Sequence, residues 1–76
     1  MTDTLLDARD LKCPLPVLKA RRAMKPLGAG DVLVVQATDP GAPADFVHFC
    51  EATGYDLLSS ETEGEVFVIR IRKTAA

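Results

Sequence analysis

Residues Val32–Gly54 read VLVVQATDPGAPADFVHFCEATG, and the spacing of their apolar side chains changes partway along. From Val32 to Thr38 the run is nearly all apolar and rich in β-branched residues, which suits a strand in the middle of a sheet. Asp39, or a nearby loop residue, and the prolines at 40 and 43 then signal a new start, and the inner positions become Ala42, Phe46, Phe49, Cys50 and Thr53. That three-and-four spacing marks one face of a helix, and Gly54 suits its left-handed C-terminal cap.

The flanking segments extend the same alternation of elements. Upstream, TLLDAR (Thr4–Arg9) is a short strand candidate, followed by the loop DLK. From Pro14 to about Leu27 the pattern is helical, with Val17, Ala20, Met24 and Leu27 on one stripe, Leu18 widening it, and Lys19, Arg22 and Lys25 outside. Downstream, YDLLSSETE and EVFVIRIRK flank Gly64 as a hairpin, with Phe67, Ile69 and Ile71 alternating against Val66, Val68, Arg70 and Arg72. With right-handed crossovers, the order β-α-β-α-β-β predicts a two-layer α/β sandwich with both helices on one face of a four-stranded mixed sheet. The chain has 76 residues, 47% of them hydrophobic, enough for one domain over residues 1–76 with its core at about 4–73. It has no linker, repeat or low-complexity segment.

Several function classes are disfavoured at this point. There is no apolar run long enough to span a membrane, and the start, MTDTLLDARD, is acidic where a secretory signal is basic and then apolar, so the expected compartment is the cytoplasm. Two cysteines and one histidine are too few and too scattered for a metal site. A net charge of −2, a pI near 5.2 and no exposed aromatic pattern argue against direct nucleic-acid binding. The charge is uneven, however: residues 1–25 carry six bases and three acids, whereas the remainder carries three bases and eight acids. The positive region surrounds Cys13.

Cys13 opens the first helix within DLKCPLPVLKA, residues Asp10–Ala20. Pro14 and Pro16 fit only in a first turn, where a missing N–H costs little, and they hold the thiol rigidly at the loop–helix junction. The unsatisfied amides and positive dipole end of a helix favour thiolate, as do Lys12 and Arg9, so Cys13 is expected to ionise readily and act as a nucleophile. The spacing C-P-L-P provides no resolving cysteine for dithiol exchange. Cys50 lies on an apolar stripe and is expected to be a buried small hydrophobe, with His48 solvated. Asp39 and Asp45 are expected to have capping or surface roles. The basic set Lys19, Arg21, Arg22 and Lys25 is either solvated or docks on an acidic protein surface.

LDARDLKCPLPVLKARRAM followed by GDVLVVQATDPGAPADFVHFCEATGYDLL resembles the TusA/SirA family of small sulfur-carrier proteins, whose hallmark is a C-P-x-P motif opening the first helix. The resemblance runs from Leu6 to about Lys73. It implies a fold like the C-terminal domain of translation initiation factor three. It also implies that Cys13 accepts sulfane sulfur as a persulfide and passes it on, with Lys12 as electrostatic helper and Pro14 and Pro16 as scaffold. Family members serve tRNA thiolation, molybdenum-cofactor metabolism or sulfur oxidation, taking sulfur from a cysteine desulfurase or a rhodanese and handing it to an acceptor protein. No cofactor beyond the covalent persulfide is implied. Asp10 stands where the family commonly has glycine; aspartate also adopts left-handed angles, and its carboxylate opposes the local positive field.

Eight kilodaltons without a second catalytic group suits a shuttle, expected to be monomeric, better than a self-sufficient enzyme. A rival reading is a non-enzymatic regulatory or adaptor domain in which Cys13 is inert or redox-sensing. A third is a thiol–disulfide exchanger using Cys13 and Cys50, which the stripe position of Cys50 disfavours.

Overall fold

The computed structural model describes residues 3–74. Six elements follow one another: β1 (Asp3–Ala8), α1 (Leu15–Met24), β2 (Val32–Ala37), α2 (Ala42–Thr53), β3 (Asp56–Glu63) and β4 (Val66–Arg72). They form one mixed sheet in the order β1-β2-β4-β3, with β1 parallel to β2 and the other neighbours antiparallel.

The apolar run of β2 does sit centrally, hydrogen-bonded to β1 on one side and β4 on the other. Leu33, Val35 and Ala37 are fully buried beneath the helices, and Val32, Val34 and Gln36 alternate to the half-covered opposite face. On β4, Phe67, Ile69 and Ile71 join the same core, as their alternation requires. The open face of β4 carries Arg70 and Arg72, paired with Glu61 at 3.3 Å and Asp56 at 2.6 Å on β3. Those pairs are exposed, so their contribution is register and solubility more than stability. The β3–β4 hairpin turns at Gly64, whose φ of +63° meets the positive angle required at the first position of its two-residue loop.

Helix α2 buries Ala42, Phe46, Phe49 and Cys50 and ends on Gly54, which has φ of +82° and donates its N–H to the Cys50 carbonyl at 2.9 Å. The rings of Phe46 and Phe49 meet edge to face with centroids 6.1 Å apart, and Tyr55 continues the cluster.

Helix α1 departs from the expected pattern in two ways. Its buried residues are Pro16, Ala20 and Met24, four apart, so the stripe is rotated away from Leu18, which is 49% exposed together with Leu15. Proline can take the core position because a second-position residue owes no N–H to the helix ladder. The helix also stops at Met24, short of Leu27, since Pro26 cannot extend the ladder. Its last carbonyls are met by Lys73, whose Nζ donates to Met24 at 2.8 Å and Leu27 at 2.7 Å. The end of β4 thereby ties down the end of α1.

Candidate functional site

The loop from β1 to α1 projects Cys13 from the helix-bearing layer. Asp10 takes φ of +66°, the left-handed angle its side-chain type tolerates, and its N–H donates to Thr38 Oγ1 at 2.9 Å. The start of α1 is thus fastened to the end of β2. Cys13 directly precedes Pro14, the N-cap position of α1, and the peptide joining them is cis. The thiol is exposed and not part of a disulfide.

Around it lies a shallow depression of about 270 Å³ between α1 and α2, lined by Cys13, Pro14, Val17 and Arg21 from one side and Asp45, His48 and Phe49 from the other. Asp45 occupies the first turn of α2, and its carboxylate accepts a hydrogen bond from the Cys13 thiol at 2.5 Å. The Arg21 guanidinium lies over the Phe49 ring, 5.3 Å from its centroid, at the same depression. Asp39 accepts the Gly41 N–H at 3.0 Å and so closes the turn ahead of α2, but it does not cap the helix: the N-cap is Gly41, with no side-chain cap hydrogen bond.

This geometry corrects the expectation of a readily formed thiolate. The Cys13 pKa is raised above the ordinary thiol value, first by its hydrogen bond to Asp45, then by desolvation and by the charges of Asp45 and Asp39. The anticipated stabilising groups are engaged elsewhere or missing. Pro14 and Pro16 have no N–H, and the Leu15 N–H donates to the Lys12 carbonyl at 2.8 Å. Arg9 pairs with Asp7 at 2.9 Å, holding that carboxyl at about 2. Lys12 is exposed and lines a neighbouring depression with Asp10, Thr38 and Asp39 instead of the one holding Cys13.

Asp45 is therefore the site residue that sequence reasoning missed, having been given only a capping or surface role. It is 32 positions from Cys13, and no spacing rule links them. His48, three residues on, shares its helix face and lines the depression while remaining exposed, as expected for a solvated histidine. Cys50 is buried at 6% exposure, and desolvation pushes its thiol up to about 11. It lies outside the depression that holds Cys13. Among the described residues no three His, Cys, Asp or Glu side chains cluster as a metal site, and no helix is long and apolar enough to cross a membrane.

A third depression, of about 290 Å³, lies on the outer face of α1, where Leu11, Leu15 and Leu18 are flanked by Lys19 and Arg22. Leu18, displaced from the expected core stripe, thus joins Leu11 and Leu15 in an apolar patch with a basic rim.

Comparison with known proteins gives concordant results. A family model described as sulfurtransferase TusA matches residues 4–73. A Neisseria meningitidis protein described as a candidate sulfur carrier is 46% identical over 72 residues, covering 95% of this chain and 97% of that protein. The sulfur carrier protein TusA of Allochromatium vinosum is 44% identical over 72 residues, covering 95% of each. Among solved structures, a SirA-like protein from Desulfitobacterium hafniense superposes with a TM-score of 0.82 at 27% identity, covering 96% of this chain and 99% of that one. With its fold, its C-P-L-P loop and these relatives in agreement, the chain belongs to the TusA sulfurtransferase family.

Proposed function

We propose that this chain, a sulfur carrier of the TusA family, holds its cargo as a persulfide on Cys13. The observation that carries the reading is the contrast in access between its two cysteines: Cys13 is exposed at the loop–helix junction and Cys50 is buried. In the acceptance step the Cys13 sulfur attacks the outer sulfur of a donor persulfide. The donor's S–S bond breaks, its electron pair leaves with the donor thiolate, and a new S–S bond forms at Cys13, with no net oxidation or reduction. Delivery repeats the step with an acceptor. No bound cofactor takes part.

The partners are a sulfur-donor protein, a cysteine desulfurase or a rhodanese, and an acceptor protein in a cytoplasmic route of the tRNA-thiolation, molybdenum-cofactor or sulfur-oxidation type. Leu15 and Leu18, exposed beside Cys13 and rimmed by Lys19 and Arg22, suit a partner face with an apolar centre and acidic margin.

The test is transfer of label from radiolabelled cysteine through a desulfurase. Wild type should become labelled and pass the label on, while Cys13→Ser should bind the desulfurase but stay unlabelled. A Cys13→Ser protein that still relays sulfur would overturn the reading. A wild type that binds partners but never takes label would leave the adaptor role in its place.

A further inference from the structure

The Cys13–Asp45 contact is unexplained by a carrier that needs only an exposed thiol. Cys13 lies in the loop before α1 and Asp45 in the first turn of α2, 32 positions apart, and the carboxylate is aimed at the one sulfur atom that must react. Asp45 does not serve as a cap either: the N-cap of α2 is Gly41, with no side-chain cap hydrogen bond, and the Asp45 carboxylate accepts from the Cys13 thiol instead. We propose that Asp45 is a catalytic residue of sulfur acceptance, taking the Cys13 proton as the new S–S bond forms and giving it to the departing donor thiolate. The inference rests on the persulfide reading above.

The chemistry balances without any further reactant. A donor persulfide, RS–SH, and the Cys13 thiol become RSH and Cys13–S–SH: one S–S bond breaks, one forms, and the thiol proton travels by way of the carboxylate to the leaving sulfur. A protonated resting thiol suits this scheme, since the nucleophile is released only when a sulfur atom is in position to accept its electrons. Once loaded, the Cys13 Sγ no longer has a proton to donate, so the contact with Asp45 is lost. The acidic terminal sulfur is then drawn toward the Arg21 guanidinium, which lines the same depression. The charged and titratable groups around Cys13 are Asp45 and His48 of α2, Asp39 before it and Arg21 of α1, while Lys12, next in the chain, lines the neighbouring depression.

Asp45→Asn keeps the size and hydrogen-bonding capacity but cannot take a proton. Two rates separate its effects. The first is alkylation of Cys13 by iodoacetamide across pH, which reports thiolate alone. The second is sulfur acceptance from glutathione persulfide, followed by intact mass with Cys13→Ser as blank. With the carboxylate gone, alkylation at neutral pH should be about threefold faster and its midpoint should move to lower pH. Sulfur acceptance should be about tenfold slower, and Asp45→Glu should recover most of it. Faster alkylation together with faster sulfur acceptance would reduce Asp45 to a brake on the thiol and overturn the proposal, as would an alkylation profile that does not move. If wild type alkylates but takes no sulfur, the persulfide reading itself fails; a failure confined to Asp45→Asn against wild type removes only the role of Asp45.

Discussion

Both cysteines have thiols that resist ionisation, for opposite physical reasons. Cys50 sits at 6% exposure on the inner stripe of α2, and desolvation is the main cause of its shift. Cys13 is exposed, and its shift comes first from a single hydrogen bond to Asp45. Desolvation cannot be lifted without opening the core, whereas a hydrogen bond at the surface can be exchanged for another whenever a partner arrives. An inert thiol and a controlled thiol can thus share a pKa direction and differ entirely in chemistry.

The widest separation between them should appear in sulfur transfer. Cys13→Ser should abolish it while changing urea-denaturation stability by less than about 0.5 kcal/mol, as for other exposed sites. Cys50→Ser should leave transfer intact and cost about 2 kcal/mol, because a hydroxyl replaces a buried thiol without an assigned partner. Equal effects of the two changes on transfer would erase the distinction.

Next in size is labelling of the native protein. Alkylation counted by mass should add one label, on Cys13, with the Cys50 label appearing on the order of a thousandfold more slowly, at the rate of global opening. Because the Cys13 pKa is raised, first by its hydrogen bond to Asp45, its labelling should climb with pH through a midpoint above that of a free thiol. Two labels added at similar rates would restore the dithiol reading.

Phe46→Ala sharpens the contrast from the core side. Phe46 is fully buried in the core that contains Cys50, so its truncation should cost about 3–5 kcal/mol. Cys50 labelling should accelerate about tenfold for each ~1.4 kcal/mol of stability lost, while the pH midpoint of Cys13 stays in place for as long as the protein remains folded. A midpoint that moved with stability would show that Cys13 too is governed by the core.

These contrasts also mark how far the sequence could be read. The strand β2, the inner stripe of α2 and the alternation of β4 were legible because each repeats an apolar period over several residues; the strand order β1-β2-β4-β3 was not, because burying one face of each strand does not fix its neighbours. Helix α1 was legible as a helix but not in its facing. Leu18 and Pro16 compete for the core side, and the steric reason for choosing proline exists only once the first turn is placed against the sheet. Asp45 and Lys73 were out of reach for a related reason. Each acts on a segment tens of residues away, and only the packing of α1 beside α2, and of the end of β4 beside the end of α1, brings them together. The neighbours of Cys13 in sequence are the helix end and the bases, whereas the carboxylate that meets its thiol arrives from α2.

The smallest predicted effect lies in the loop before Cys13. Asp10→Ala places a non-glycine, non-Asx residue at φ of +66° and should cost about 1 kcal/mol in denaturant melts. Asp10→Gly should be nearly neutral. If Asp10→Ala were also neutral, the left-handed angle would not be what fastens this loop.

The most direct measurement is intact-protein mass spectrometry after incubation with a cysteine desulfurase and cysteine, on wild type, Cys13→Ser and Cys50→Ser. The account predicts a gain of one sulfur atom, reversed by reductant, in wild type and Cys50→Ser and absent from Cys13→Ser. The same gain on Cys13→Ser, or none on folded wild type, would contradict it.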